Sequence, residues 1–146
     1  MVRVLHIFHN MGNGGIEHFV MDFYRHIDRE KVQFDFLTSV EERGYFDDEI
    51  LLLGGKIYRA YPLKKNPIKN YRDIARIVQE NHYDIIHCHT PVAGVLARLA
   101  ARSSKDTTVI YTAHGFHFYK GAPLLNWLVY YPVERFCAKF TDKLIT

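Results

Sequence analysis

Cysteine is nearly absent from these 146 residues: Cys88 and Cys137 are the two copies, and they form no spaced framework. Without an export signal they are expected to stay reduced and to act as small hydrophobes. Long apolar runs are missing as well. None approaches the roughly 18 residues of a membrane-spanning helix, and Val4-Leu5-His6-Ile7-Phe8 is too short for the core of a signal peptide. The expected location is therefore cytoplasmic, with peripheral contact at the inner membrane face left open. Charge of one sign is scarce too, because 19 Lys and Arg against 16 Asp and Glu leave a net +3, too little to imply nucleic-acid binding. No internal repeat or low-complexity linker is visible. Neither G-x-x-x-x-G-K-[ST] nor a G-x-S-x-G elbow occurs, so the P-loop is excluded and acyl transfer has no support.

What remains is an ordinary globular composition, 48% hydrophobic and 24% charged, enriched in aromatics by ten Phe and ten Tyr. The length suits one domain with one real core. Apolar periodicity alternates along it. Val2 to Phe8 reads as a strand, stopped at His9-Asn10-Met11-Gly12-Asn13-Gly14-Gly15, and Ile16 to about Ile27 as an amphipathic helix. Val32 to Thr38 is a strand, with Phe34 and Phe36 on one face and Asp35 on the other. Tyr45 to Leu53 is a short helix ended at Gly54-Gly55, and Lys56 to Ala60 another strand. Asn66-Pro67 and Thr90-Pro91 both combine a capping residue with a proline that needs no bonded N–H at the first helical position. Between the helices they open lies a strand from Asp84 to Cys88. Thr107 to Thr112 is the next strand, and Leu124 to Phe140 a helix that Pro132 should kink or split. Lys143 to Thr146 begins a further strand, which predicts that the chain is part of a longer protein. Such alternation implies an α/β fold with a parallel sheet, helices on both faces, and ligands at the carboxyl ends of the strands.

Four features could carry chemistry. Gly12, Gly14 and Gly15 directly precede a helix, where backbone N–H groups and the helix dipole favour an anion such as a diphosphate, although a plain strand-to-helix turn needs the same residues. Glu17 stands where a dinucleotide fingerprint requires glycine, which weakens a nicotinamide reading. His87 and His89 lie two apart at a strand end, on the face opposite Cys88, and His114 and His117 follow the next strand. These histidines would share one sheet edge, where they could serve a zinc ion or a metal-free group transfer from a nucleotide-activated donor; His87 best fits a packed core residue. The basic residues Lys56, Arg59, Lys64, Lys65, Lys69, Arg72 and Arg76 meet one acid, Asp73, and read as a solvated face or as a surface for phosphates or anionic lipid. The last helix, with Leu124, Leu125, Trp127, Leu128, Tyr130, Tyr131 and Phe136, is more apolar than one buried face needs. It suits burial under a second domain or contact with lipid headgroups.

Gly14-Gly15-Ile16-Glu17, Asp84-Ile85-Ile86-His87-Cys88-His89-Thr90-Pro91 and Tyr111-Thr112-Ala113-His114-Gly115-Phe116, in that order, resemble family 4 glycosyltransferases. The stretch from His114 through Lys120-Gly121-Ala122-Pro123 to Tyr130-Tyr131-Pro132 is most similar to bacterial exopolysaccharide and capsule enzymes. The resemblance implies a GT-B architecture of two Rossmann-like domains, with residues 1–146 as the N-terminal, acceptor-side domain. The donor-binding domain with its spaced glutamates would lie outside this chain. It further implies that Gly14 and Gly15 approach the donor diphosphate, that Glu17, His89 and Thr90 lie on the acceptor side, and that His114 is the catalytic histidine. Retention of anomeric configuration, no cofactor and no bound metal are implied as well, and Asp47-Asp48 is adjacent rather than a spaced D-x-D pair. The expected partners are a nucleotide-sugar, a UDP-sugar in particular, and a lipid-linked sugar acceptor. The other readings are a stand-alone phosphoglycan-binding module and a His-ligated metal hydrolase.

Overall fold

The computed structural model describes residues 1–102, 104 and 106–146. Six parallel strands alternate with five helices: β1 Val2–Ile7, α1 Gly15–His26, β2 Val32–Thr38, α2 Asp47–Leu52, β3 Ile57–Arg59, α3 Pro67–Asn81, β4 Ile85–Cys88, α4 Pro91–Ala101, β5 Thr108–Thr112, α5 Leu124–Cys137 and β6 Lys143–Ile145. The strand order is β3-β2-β1-β4-β5-β6, the Rossmann-like arrangement expected from the alternation. Its direction of winding reverses between β1 and β4. A crevice therefore opens at the carboxyl ends of those two strands.

Strand alternation builds two cores. Val4 and Phe8 of β1 and its extension join Phe34 and Phe36 of β2 against Met21 and Tyr24 of α1. Leu5 and Ile7 point the other way, to Leu37, Ile86 and Cys88 and to Ile74, Ile77 and Ala97 of α3 and α4. Each fully buried Leu, Ile or Phe stabilises the fold by about 1.5–3 kcal/mol. Asp35 falls on this second face, which is buried too, so its carboxylate must be partnered. It accepts from Arg3 Nη2 at 3.0 Å, Tyr83 Oη at 2.8 Å and the Lys56 amide at 2.8 Å, tying three segments together.

Local signals are met in most places. Asn66 accepts from the Lys69 amide at 3.0 Å and caps α3 with Pro67 at its first position. Gly54 takes φ +89° behind α2, a conformation that favours glycine. Thr90 stands at the cap of α4 but makes no capping bond, and its Oγ1 has no partner among the described residues. Pro132 does not split the last helix, which runs unbroken from Leu124 to Cys137 before a 3₁₀ turn at Ala138–Phe140. The carbonyl left without a donor, that of Leu128, belongs to a residue 65% exposed, where water can replace the lost bond.

Three of the seven bases in the stretch pair with acids and a fourth lies over an aromatic ring. Arg59 pairs with buried Asp47, Lys65 with Glu41 at 3.2 Å and Arg76 with Asp73 at 3.5 Å, while Lys69 Nζ lies 3.9 Å over the Tyr61 ring. This favours the solvated-face reading. The apolar last helix is a different matter: Cys137 is the buried residue of α5, and Leu124, Leu125, Leu128 and Phe136 are exposed. Its anchor is Arg98 of α4, 1% exposed, whose Nη1 donates to Glu134 at 2.9 Å while the guanidinium stacks 4.1 Å from the Tyr111 centroid. Among the described residues no helix is long and apolar enough to cross a membrane.

Candidate active site

The crevice at the switch point is a cavity of about 1490 Å³. Gly15, Phe19 and Phe23 of α1 form one wall, and His87, His89 and His114 another. Thus the glycine loop and the two histidine motifs, distant in sequence, meet at one edge of the sheet.

The glycine wall is built for approach. Gly14 caps α1 in extended backbone without a side-chain bond, leaving the first-turn amides free of a capping group. A Cβ on Gly15 would meet nothing within 4 Å, so neither packing nor φ demands glycine there. The space is left to whatever enters the cavity. Glu17, in the first turn, folds its carboxylate back over Gly14 and does not line the cavity.

The histidine wall begins deep in the sheet. His6 of β1 pairs in register with His87 of β4, and its Nδ1 lies 2.9 Å from His89 Nε2. His89 is 2% exposed, stacked 4.5 Å from Phe8 and 4.0 Å from His87. His87 is half-buried and its Nε2 lies 2.8 Å from Thr112 Oγ1 of β5. Exposed His114 stacks 5.9 Å from His89 at the mouth. Burial pulls His6 and His89 well below the ordinary imidazole range, and burial with repulsion from His114 lowers His87 to about 4. Near pH 7 His6, His87 and His89 are therefore neutral.

Three sequence expectations are corrected by this geometry. The most enclosed of the four expected histidines is His89, not His87: Phe8 stacks over His89, while His87 is only half-buried and lines the cavity. His117 leaves the cluster and packs 4.6 Å from Tyr130. The three imidazoles with metal-ligand spacing, one atom of each within 4.8 Å of the others, are His6, His87 and His89, with His6 in the place expected for His114. Among the described residues no carboxylate joins that group. Thr90 adjoins His89 but is not part of the cavity wall. His6 itself was not among the expected site residues. Its signal was faint: a polar residue on the Val4–Phe8 face of an otherwise apolar strand.

The sequence pattern of Glycosyltransferase Family 4 matches residues 13–146, which include every element lining the cavity except β1. The chain belongs to Glycosyltransferase Family 4. EpsD of Bacillus subtilis (strain 168) is 53% identical to it over 92 residues, 58% of this chain and 24% of EpsD. The Escherichia coli UDP-Gal:alpha-D-GlcNAc-diphosphoundecaprenol alpha-1,3-galactosyltransferase is 33% identical over 118 residues, 77% of this chain and 30% of that enzyme. The family chain described here thus spans about a quarter to a third of these curated relatives. The same fold occurs in Anabaena Alr3699/HepE, crystallised in complex with UDP, at TM-score 0.63 and 15% identity over 99% of this chain and 37% of that one.

Proposed function

We propose that residues 1–146 form the N-terminal, acceptor-side domain of a retaining glycosyltransferase of polysaccharide biosynthesis. The donor is a nucleotide-sugar, a UDP-sugar in particular, and the acceptor a lipid-linked saccharide at the inner face of the membrane. The observation that carries this reading is the convergence of Gly15, His89 and His114 on one cavity at the switch point. The named donor and diphosphoundecaprenol-linked acceptor of the Escherichia coli relative support the choice of substrates. The donor-binding domain belongs to the remainder of a longer protein, in keeping with the share of the relatives that this chain covers.

In the reaction the bond between the sugar's anomeric carbon and the diphosphate breaks, and a new bond to an acceptor hydroxyl forms on the same face. The hydroxyl proton leaves with the diphosphate. Negative charge develops on that leaving group, and the α1 N-terminus at Gly15, where the helix dipole is positive, is suited to stabilise it, with Gly14 beside it under the Glu17 carboxylate. His114, at the mouth, contacts the donor sugar and is the catalytic residue. His89 takes the acceptor side, with Thr90, whose Oγ1 has no partner among the described residues, and Glu17 of the first turn of α1 beside the cavity rather than in its wall. No cofactor or metal takes part in this scheme. Exposed α5, with Arg135, Lys139 and Lys143 around its end, rests on anionic lipid and brings the acceptor to the cavity.

The test is His114→Ala in the full-length protein with a UDP-sugar and lipid-linked acceptor. Turnover falls by about 10²-fold or more, the scale of a lost transition-state contact, with circular dichroism unchanged. Near-normal turnover would remove His114 from the mechanism. Tight phosphoglycan binding without any turnover in the wild type would favour a binding module instead.

A further inference from the structure

The cavity is large, but its walls hold little charge. Among the described residues that line it, Asp22 alone has a formally charged side chain, and no Lys or Arg takes part. A phosphate group inside would meet no cationic side chain, so an anion is confined to the α1 N-terminus at Gly15. The interior suits an uncharged guest.

Its two walls narrow the chemistry of that guest. Phe19 and Phe23 of α1 line the cavity and are 56% and 57% exposed, two large rings left uncovered and set edge to face at 4.9 Å. From the sheet, His87 of β4 and Thr112 of β5 line it as well, with His87 Nε2 2.8 Å from Thr112 Oγ1. The other ring nitrogen, His87 Nδ1, has no hydrogen bond among the described residues and, unlike His6 Nε2 and His89 Nδ1, is not sealed from solvent. Where Thr112 donates to Nε2, Nδ1 carries the proton and donates; where Thr112 accepts, Nδ1 is an acceptor. A hydroxyl can answer either state, because it both donates and accepts. Burial, with repulsion from His114, keeps His87 neutral near pH 7, in keeping with an uncharged partner. A molecule with hydroxyls at its rim and C–H faces for aromatic rings is a sugar ring.

We propose that the space between Phe19, Phe23 and the His87–Thr112 pair is a saccharide subsite, in which His87 Nδ1 bonds a hydroxyl of the acceptor sugar. Thr112 is the positioning residue that holds the imidazole by its other nitrogen. That the sugar is the acceptor's rests on the function proposed above; the uncharged, hydroxylated character of the guest does not.

The experiment uses the full-length protein, a UDP-sugar, and N-acetylglucosamine diphosphate on a short prenyl chain, the head of the acceptor named for the Escherichia coli relative. His87→Phe keeps a ring in place and removes both nitrogens. It should raise KM for this acceptor roughly three- to tenfold, the worth of one hydrogen bond, with kcat and KM for the UDP-sugar within about twofold. Thr112→Val frees the imidazole without removing it and should raise the same KM by a smaller factor. Acceptors that each lack one hydroxyl locate the contact: one of them should lose the same factor with the wild type and nothing further with His87→Phe. If His87→Phe does not fold, the hydroxyl series read with Thr112→Val still decides, since the loss at that one hydroxyl should shrink. An acceptor KM unchanged in the variants, or hydroxyl losses equal in variant and wild type, would overturn the subsite. So would a KM that follows the length of the prenyl chain alone, which would give the space to the lipid. If the protein binds the probe and transfers no sugar, the transferase reading falls and the same factors are read in Kd. A probe neither bound nor turned over would overturn subsite and function together.

Discussion

Acid should unfold this protein earlier than its carboxylates alone would dictate. His6, His87 and His89 are neutral in the folded state because burial opposes their charged forms. In the unfolded chain each takes up a proton at the ordinary imidazole value of about 6.5. Below that pH the unfolded state binds more protons than the native one, so stability falls as pH falls, by about 1.4 kcal/mol per pH unit for each histidine fully in this window. For His87, lowered to about 4, the loss reaches roughly 3 kcal/mol between pH 6.5 and 4. His6 and His89 shift in the same direction and steepen the slope. Against a total of about 5–15 kcal/mol for a domain, this is a large share. The assay is urea unfolding at pH 7.0, 6.0 and 5.0, a range chosen above the titration of ordinary carboxylates. The midpoint should fall progressively, and His6→Phe or His89→Phe should flatten the profile. A midpoint constant from pH 7 to 5 would refute the neutral buried cluster.

The glycine wall makes a separable prediction. Gly15→Ala should leave the thermal midpoint unchanged or raised, since the added methyl meets nothing and alanine is the better helix former by about 1 kcal/mol, yet it should weaken UDP-sugar binding by the full-length protein in calorimetry. Removing Arg98 as Arg98→Met leaves Glu134 partly buried without its partner and should cost about 3–5 kcal/mol in denaturant unfolding, with loss of near-ultraviolet dichroism from Trp127 and its neighbours on α5. Replacing both Leu124 and Leu128 by Ser should weaken cosedimentation of the full-length protein with anionic vesicles while leaving its unfolding midpoint within about 0.5 kcal/mol, because both side chains are exposed.

Much of the fold was legible because its signals are local. Val32 to Thr38 declared itself by β-branched and aromatic alternation, and the structure has the same bounds. Asn66-Pro67 announced α3 through two residues whose chemistry fits only a helix start. The period of two placed His87 and His89 together and Cys88 opposite, and Cys88 indeed lies in the other core, its thiol pushed up to about 12 by burial. What the sequence hid depends on neighbours far along the chain. His6 becomes significant only once β1 is known to lie beside β4, which sets residue 6 against residue 87. The depth of His89 depends on Phe8, which no local pattern connects to it. Pro132 was expected to kink or split the last helix and does not split it, because the lost bond leaves the carbonyl of exposed Leu128, and exposure is a tertiary property.

The way α5 is attached has a kinetic side. Strands β1 and β4 are locked between two cores, but α5 gives the core one side chain, Cys137, and otherwise hangs on the Arg98–Glu134 pair and bonds such as Asn126 Nδ2 to the His117 carbonyl. A segment with so little buried apolar area forms its own cooperative unit, whose opening requires far less free energy than global unfolding. In deuterium exchange the amides of α5 should therefore label as a block while those of β1 and β4 stay dark. Any surface that settles on the helix would read out as the slowing of that block alone.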